Sequence, residues 1–81
     1  MDTYEKILNN GAGSFVDLVE SFDEWDIEEM NMGYNREDFK SDFDFKYAVT
    51  YAYVRGLLIE YIGCGFTDRE TQTLFEIYCA M

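Results

Sequence analysis

The sequence contains no histidine and no proline, and only two of its 81 residues are cysteines. Without histidine, the usual general base near neutral pH is absent, and so is every Ser-His or Cys-His nucleophile arrangement. Two cysteines without histidine do not complete a standard zinc site in one copy of the chain. The sequence therefore predicts a protein that is not an enzyme.

Calcium is the metal that an acid-rich sequence suggests first, but no EF-hand loop fits this chain. A loop starting at Asp23 would place Trp25 where a ligand is required, and a loop starting at Asp42 meets Lys46 at its fifth position. We therefore expect no metal site, and no residue pattern indicates a cofactor.

Signals for secretion and membrane insertion are also missing from the pattern. A secretory signal requires a basic segment followed by an apolar one, and the first fifteen residues do not contain this pattern. The most apolar window, residues 47–66, contains Arg55 and Glu60, and a charged residue costs roughly 2.5 to 3.5 kcal/mol at the centre of a bilayer. We expect no membrane span and a cytoplasmic location.

Large hydrophobic residues, by contrast, are plentiful: the chain is 48% apolar and 19% aromatic. This content is too high for a disordered acidic tail, so the chain is expected to fold. A chain of this length supports one hydrophobic core, and residues 1–81 are predicted to form a single acidic helical domain. Such a domain buries only about 60 to 65% of its unfolded surface, so a homodimer that buries more is compatible with its size.

Helix-start and helix-stop signals divide the first half of the chain. The segment "TYEKILNN" has a helical pattern and ends at "GAG", residues 11–13. Ser14 then offers an N-cap with Asp17 three positions later, which predicts a second helix. The apolar side of that helix is predicted to comprise Phe15, Leu18, Val19, Phe22 and Trp25.

The second half of the chain is expected to hold a loop and two further helices. Helical periodicity fails at "MNMGYN", residues 30–35, where we predict a loop. A long helix then runs to Ile62, with or without a break near Ser41, and Gly63 suits the position that follows its end. The capping box "TDRE", residues 67–70, predicts the final helix.

One segment has a competing interpretation. Residues 47–54, "YAVTYAYV", alternate as a strand does, and tyrosine and valine favour strands. The run continues without turn residues to Gly63, and this length favours a helix. The predicted fold class is therefore all-α, a compact bundle of four or five short helices.

Basic residues are scarce: six Lys and Arg stand against 17 Asp and Glu, which gives a formal net charge of -11. This charge repels phosphate backbones and anionic membranes, so direct binding to nucleic acid is not expected. The same charge attracts basic proteins and speeds their encounter. The predicted partner is a basic protein.

The acids are concentrated between Ser14 and Asp44, where eleven of them accompany only Arg36 and Lys40. Acids at steps of three or four residues are predicted to form one stripe on the second helix and its continuation, namely Asp17, Glu20, Glu24 and Glu28. Like-charge neighbours at this spacing cost roughly a few tenths of a kcal/mol each. Two interpretations stay open: an acidic exterior that maintains solubility, or a surface bound by something positive.

Carboxylates three and four residues apart are separated by about 4.5 to 6 Å along a helix axis, a scale comparable with the phosphate spacing of a nucleic-acid strand. The acids concerned are Asp17, Glu20, Asp23, Glu24, Asp26, Glu28, Glu29, Glu37, Asp38, Asp42 and Asp44. In general type, this row resembles the small acidic nucleic-acid mimics of phages and mobile elements, including anti-CRISPR and antirestriction proteins. The resemblance implies an inhibitor that occupies the nucleic-acid-binding site of a basic partner, such as a CRISPR effector or restriction enzyme. Its location would be the host cell cytoplasm if the protein is phage-encoded.

Two aromatic residues, Trp25 and Tyr34, lie beside these acids near the predicted loop. An amphipathic ring there is suited to stack on an arginine of the partner, so both are predicted partner-binding residues. The alternative function is a small cytosolic adaptor or antitoxin-like regulator that binds a basic protein through a helical groove. A steep loss of affinity with added salt would favour the nucleic-acid mimic, whereas binding that is insensitive to salt would favour the adaptor with a helical groove.

Overall fold

The computed structural model describes residues 3–11, 13–63 and 69–80, and within these ranges the chain is all-α. The helices are α1 (Thr3–Asn10), α2 (Phe15–Ser21), α3 (Glu24–Met30), α4 (Asp42–Gly63) and α5 (Arg69–Ala80). A 3-10 turn, Arg36–Asp38, lies between α3 and α4. The predicted bundle of four or five helices is confirmed.

Local signals end α1 and begin α2 as predicted. Gly11 has a φ of 58°, a backbone conformation that glycine adopts without strain, and its N–H donates to the carbonyl of Leu8 at 3.1 Å. The side chain of Ser14 accepts a hydrogen bond from the backbone N–H of Asp17 at 3.3 Å. Both helix boundaries therefore follow from residues within one turn of them.

The predicted second helix is wrong in its length, because the chain breaks it at Phe22. Phe22 has extended backbone angles (φ -81°, ψ 135°), and Asp23 begins α3 as its N-cap. The Asp23 carboxylate accepts from the N–H of Asp26 at 3.0 Å, and the Asp26 carboxylate accepts from the N–H of Asp23 at 3.4 Å. This reciprocal capping box starts a new helix in place of a continued one.

The loop and the break before α4 agree with the sequence pattern. The sequence predicts the loop at residues 30–35; Met30 is the last residue of α3, and residues 31–35 form the loop. Asn35 precedes the 3-10 turn without a side-chain cap, whereas the Ser41 hydroxyl accepts from the N–H of Asp44 at 3.1 Å. The break near Ser41 is therefore present, and the long helix begins at Asp42.

Residues 47–54 belong to α4, so the strand interpretation is wrong and the helical one is confirmed. α4 contacts α2, α3, α5 and the 3-10 turn, which explains why its sequence is apolar on several sides. Gly63 is the last residue of α4 rather than the one after it. Residues 64–68, which include the first two residues of the predicted capping box, lie outside the described residues.

The hydrophobic core is formed by residues from all five helices and from the link between α2 and α3. Its buried members are Ile7, Phe15, Leu18, Val19, Phe22, Ile27, Met30, Val49, Val54, Leu58, Leu74 and Ile77. Phe15 meets the ring of Tyr47 edge to face, with the centroids 5.0 Å apart, and Tyr51 lies 6.3 Å from Tyr78 on α5. None of the described helices has the length and apolar character needed to cross a bilayer.

Candidate functional site

Ten of the eleven acids between Asp17 and Asp44 are exposed, and we call them the exposed acids. α2 presents Asp17 and Glu20, α3 presents Glu24, Glu28 and Glu29, and the remaining five lie at or between the helix starts: Asp23, Glu37, Asp38, Asp42 and Asp44. Short helices and N-cap positions place these side chains outward, since the apolar residues between them enter the core.

The single acid stripe predicted for the second helix is wrong. The break at Phe22 separates Glu20 on α2 from Glu24 on α3. Two shorter acid rows replace the stripe: Asp17 with Glu20, three residues apart, and Glu24 with Glu28, four residues apart. The acids are therefore presented by two helices rather than along one.

Asp26 departs from the prediction that it lies on the binding surface, because its side chain is buried. The residue is 8% exposed, and its carboxylate accepts hydrogen bonds from the Lys6 Nζ at 2.6 Å and from the Thr3 hydroxyl at 3.1 Å. It also caps α3 through Asp23. Asp26 thus ties α1 to the start of α3, and no sequence signal connected it with residues 20 and 23 positions earlier.

The environment of this ion pair shifts both pKa values. Burial raises the pKa of the Asp26 carboxyl, but the hydrogen bonds from Lys6, from the backbone of Asp23 and from Thr3 outweigh burial, so the pKa lies below its ordinary value. The hydrogen bond to Asp26 raises the pKa of the Lys6 amine. The charged forms of both groups are therefore favoured in the folded state.

We expect the contribution of Asp26 to stability to disappear as the pH falls. Its folded-state pKa lies below the unfolded value of about 3.9, so the carboxylate stabilises the fold above that value and loses this effect as the pH falls through the folded-state pKa. Thermal unfolding of the wild type and of Asp26→Asn should differ at neutral pH and converge below about pH 4. The control is Asp38→Asn, which changes an exposed acid. A difference in thermal unfolding between the wild type and Asp26→Asn that is independent of pH would contradict the expectation.

Three of the bases, Lys6, Arg36 and Lys46, are engaged within the molecule. Lys6 pairs with Asp26, and the Arg36 Nε donates to the Asp42 carboxylate at 2.6 Å, which lowers the pKa of Asp42. The Lys46 Nζ donates to the carbonyl of Phe22 at 3.0 Å, at the end of α2. Asp42 is therefore the one exposed acid that forms an ion pair with a described base.

Two predicted aromatic residues are exposed, as expected from their positions beside the acids. Trp25 on α3 is 82% exposed, and Tyr34 in the following loop is 42% exposed. Tyr34 contacts the ring of Phe39 edge to face, with the centroids 5.9 Å apart. Met32, which the sequence did not single out, is 68% exposed. Exposed apolar side chains therefore lie beside the exposed acids at the start of α3 (Trp25) and just after its end (Met32 and Tyr34).

A groove of about 420 Å³ lies between α3, the 3-10 turn and the start of α4. Its walls comprise Glu24, Ile27, Glu28, Asn31, Arg36, Asp42, Phe45 and Lys46. Ile27 and Phe45 contribute apolar surface, and charged groups surround them. Sequence reasoning missed this groove, because it forms only when α3 packs against α4.

The described part of the surface combines exposed carboxylates, exposed aromatic rings and a groove. Among residues 3–11, 13–63 and 69–80, no group of three metal-ligating side chains is placed to hold an ion. The concentration of exposed carboxylates next to Trp25 is suited to cations, with the indole ring available for stacking. No protein-family model, no curated protein and no solved structure matches this chain.

Proposed function

We propose that this protein is a non-enzymatic inhibitor that binds a basic partner through the exposed acids and occupies the partner's nucleic-acid-binding site. The partner class is a nucleic-acid enzyme such as a CRISPR effector or a restriction enzyme. One observation carries the proposal: nine exposed acids form no ion pair with a described base, while Lys6, Arg36 and Lys46 are engaged internally. The acidic charge is thereby left for an external partner.

The physical basis is competition for the arginines and lysines that hold phosphates. Glu24 and Glu28 lie one helical turn apart, about 6 Å along the axis, and Asp17 and Glu20 form a second row on the neighbouring helix. A formal charge of -11 steers a basic partner toward the protein before contact. Inhibition follows because the same basic surface is not available to nucleic acid at the same time.

Trp25 offers an aromatic ring for cation–π stacking, in addition to the ion pairs that the exposed acids can form. Its ring is 82% exposed on α3, with Glu28 and Glu29 three and four positions later on the same helix. An arginine of the partner that reaches either carboxylate therefore lies within range of the indole face, where cation–π attraction adds to the ion pair. Tryptophan and arginine are also frequent among the residues that dominate binding energy.

A second candidate function is an adaptor or antitoxin-like regulator that binds a basic protein through apolar contacts. The observation that favours it is exposed apolar surface on helices outside the acidic segment, at Ile59 on α4 and Phe75 on α5, which are 61% and 52% exposed. Binding through these side chains would depend little on salt, whereas binding through the exposed acids would weaken steeply as salt rises.

The test is affinity capture from the native host, followed by competition with nucleic acid. We expect the captured partner to bind nucleic acid and to be released by DNA or RNA of the kind it binds, and to be lost between low and moderate salt. The double variant Ile59→Ser with Phe75→Ser serves as the control and should capture the same partner. A captured protein that no nucleic acid displaces would support the adaptor and contradict the mimic.

A further inference from the structure

The groove between α3 and α4 has features of a binding site for one cationic side chain. Its volume of about 420 Å³ lies in the range of sites that enclose a small ligand. Phe45, which is half-buried, provides apolar surface for an alkyl stem, and Ile27 contributes the 5% of its surface that is exposed. Glu24 and Glu28 provide carboxylates for the charged end. A long side chain with an apolar stem and a positively charged end matches both the apolar surface and the carboxylates of the groove.

The protein's own Arg36 shows how a guanidinium is received there. Its Nε donates to the Asp42 carboxylate at 2.6 Å, and its Nη1 donates to the carbonyl of Phe39 at 2.8 Å. The side chain remains 44% exposed, and it belongs to a three-residue 3-10 turn whose N-cap, Asn35, makes no side-chain hydrogen bond. Arg36 is therefore held at the groove by few contacts.

The remaining charges of the groove favour another cation. Arg36 is matched by Asp42, and the Lys46 Nζ is directed to the carbonyl of Phe22. Glu24 and Glu28 form no ion pair with a described base, although both line the groove. The charged side chains of the groove sum to -1, because Glu24, Glu28 and Asp42 outnumber Arg36 and Lys46, and this balance disfavours a phosphate or a carboxylate as the occupant.

We infer that this groove is the docking site for an arginine side chain of the basic protein partner, and that Arg36 competes with that arginine. The inference rests on the proposed function, since the arginine belongs to the same partner. Glu24 and Glu28 bind the guanidinium, Ile27 and Phe45 pack against its stem, and displacement of Arg36 frees Asp42 as a further acceptor. A planar guanidinium is preferred to an ammonium, because it donates in two parallel hydrogen bonds to a carboxylate.

The test uses the full chain, labelled with ¹⁵N, and a blocked tri-arginine peptide as the probe. We expect amide shifts concentrated at residues 24–28 and 42–46, and weaker binding of a tri-lysine peptide. Arg36→Gln should bind tri-arginine about two- to fivefold more tightly than Lys40→Gln, which is the change expected from removing one exposed competing ion pair. Lys40 is exposed and does not line the groove. The two variants have the same net charge, because each replaces one base with glutamine.

A second pair of variants keeps the test valid if Arg36→Gln disturbs the 3-10 turn. Glu28→Gln should weaken tri-arginine binding more than Glu37→Gln, an exposed acid outside the groove. Equal affinities within both pairs, or shifts spread over all the exposed acids, would overturn the inference. That failure is distinguishable from failure of the proposed function, because partner capture and its release by nucleic acid do not require the groove.

Discussion

Reversal of Glu20 and Glu24 to lysine is expected to reduce inhibition of the proposed target, a nucleic-acid enzyme, by about 100-fold or more. These two exposed acids lie on either side of the break between α2 and α3, so the double variant alters both acid rows. Each lysine would be placed against the basic groups of the partner, and a like-charge contact across an interface costs several kcal/mol. A loss of about 2.7 kcal/mol in binding free energy is enough for a loss of about 100-fold in affinity. Inhibition titrations of the target enzyme at fixed salt measure the loss.

The matched control reverses Glu60 and Glu76, two exposed acids that lie on α4 and α5 outside the acidic segment. Both double variants change the formal charge from -11 to -7, because each reversal adds two positive charges. Circular dichroism should show unchanged helical content in both. Equal losses in the two variants would mean that net charge, and not the exposed acids of residues 17–44, controls binding; no loss in either would remove the acids from the interface.

Truncation of Phe22 to alanine is expected to destabilise the fold by about 3 to 5 kcal/mol, the usual cost of deleting a buried phenylalanine side chain. Phe22 is 1% exposed, and it is the core residue that lies in the non-helical link between α2 and α3. A domain of this size has a total stability of roughly 4 to 12 kcal/mol. Loss of this side chain therefore removes a large share of the free energy of unfolding.

Phe75→Ala provides the comparison, since it deletes the same side chain from a position that is 52% exposed. Its cost should remain below about 1 kcal/mol. Urea unfolding followed by circular dichroism gives both values. If Phe22→Ala cost no more than Phe75→Ala, the side chain of Phe22 would not contribute to the core as its burial indicates.

The break itself illustrates why periodicity alone was insufficient. Phe22 continues the apolar spacing of Phe15, Leu18 and Val19, and it is buried whether the helix continues or stops. The pair Asp23 and Asp26 stands at capping-box spacing and was the local signal for a new helix. Periodicity identifies the residues that enter the core, and the cap decides where one helix ends and the next begins.

Trp25 was placed in two ways by the pattern, as part of an apolar row and as an exposed ring beside acids. A continuous helix would have carried it toward the core with Phe22. Because α3 starts anew at Glu24, its orientation is set by Ile27 and Met30, which are buried, and Trp25 points to solvent at 82% exposure. The exposed aromatic residue is thus a consequence of the helix break.

Local chemistry determined the helical class, the stop at Gly11, the caps at Ser14 and Ser41 and the exposure of most acids, because each depends on residues within a few positions of one another. Tertiary packing decided the rest: the burial of Asp26 against Lys6, the use of Lys46 on the carbonyl of Phe22, and the groove between α3 and α4. These contacts join residues 20 to 24 positions apart, or whole helices. Their partners are selected by how the helices pack, and no spacing rule along the chain contains that information.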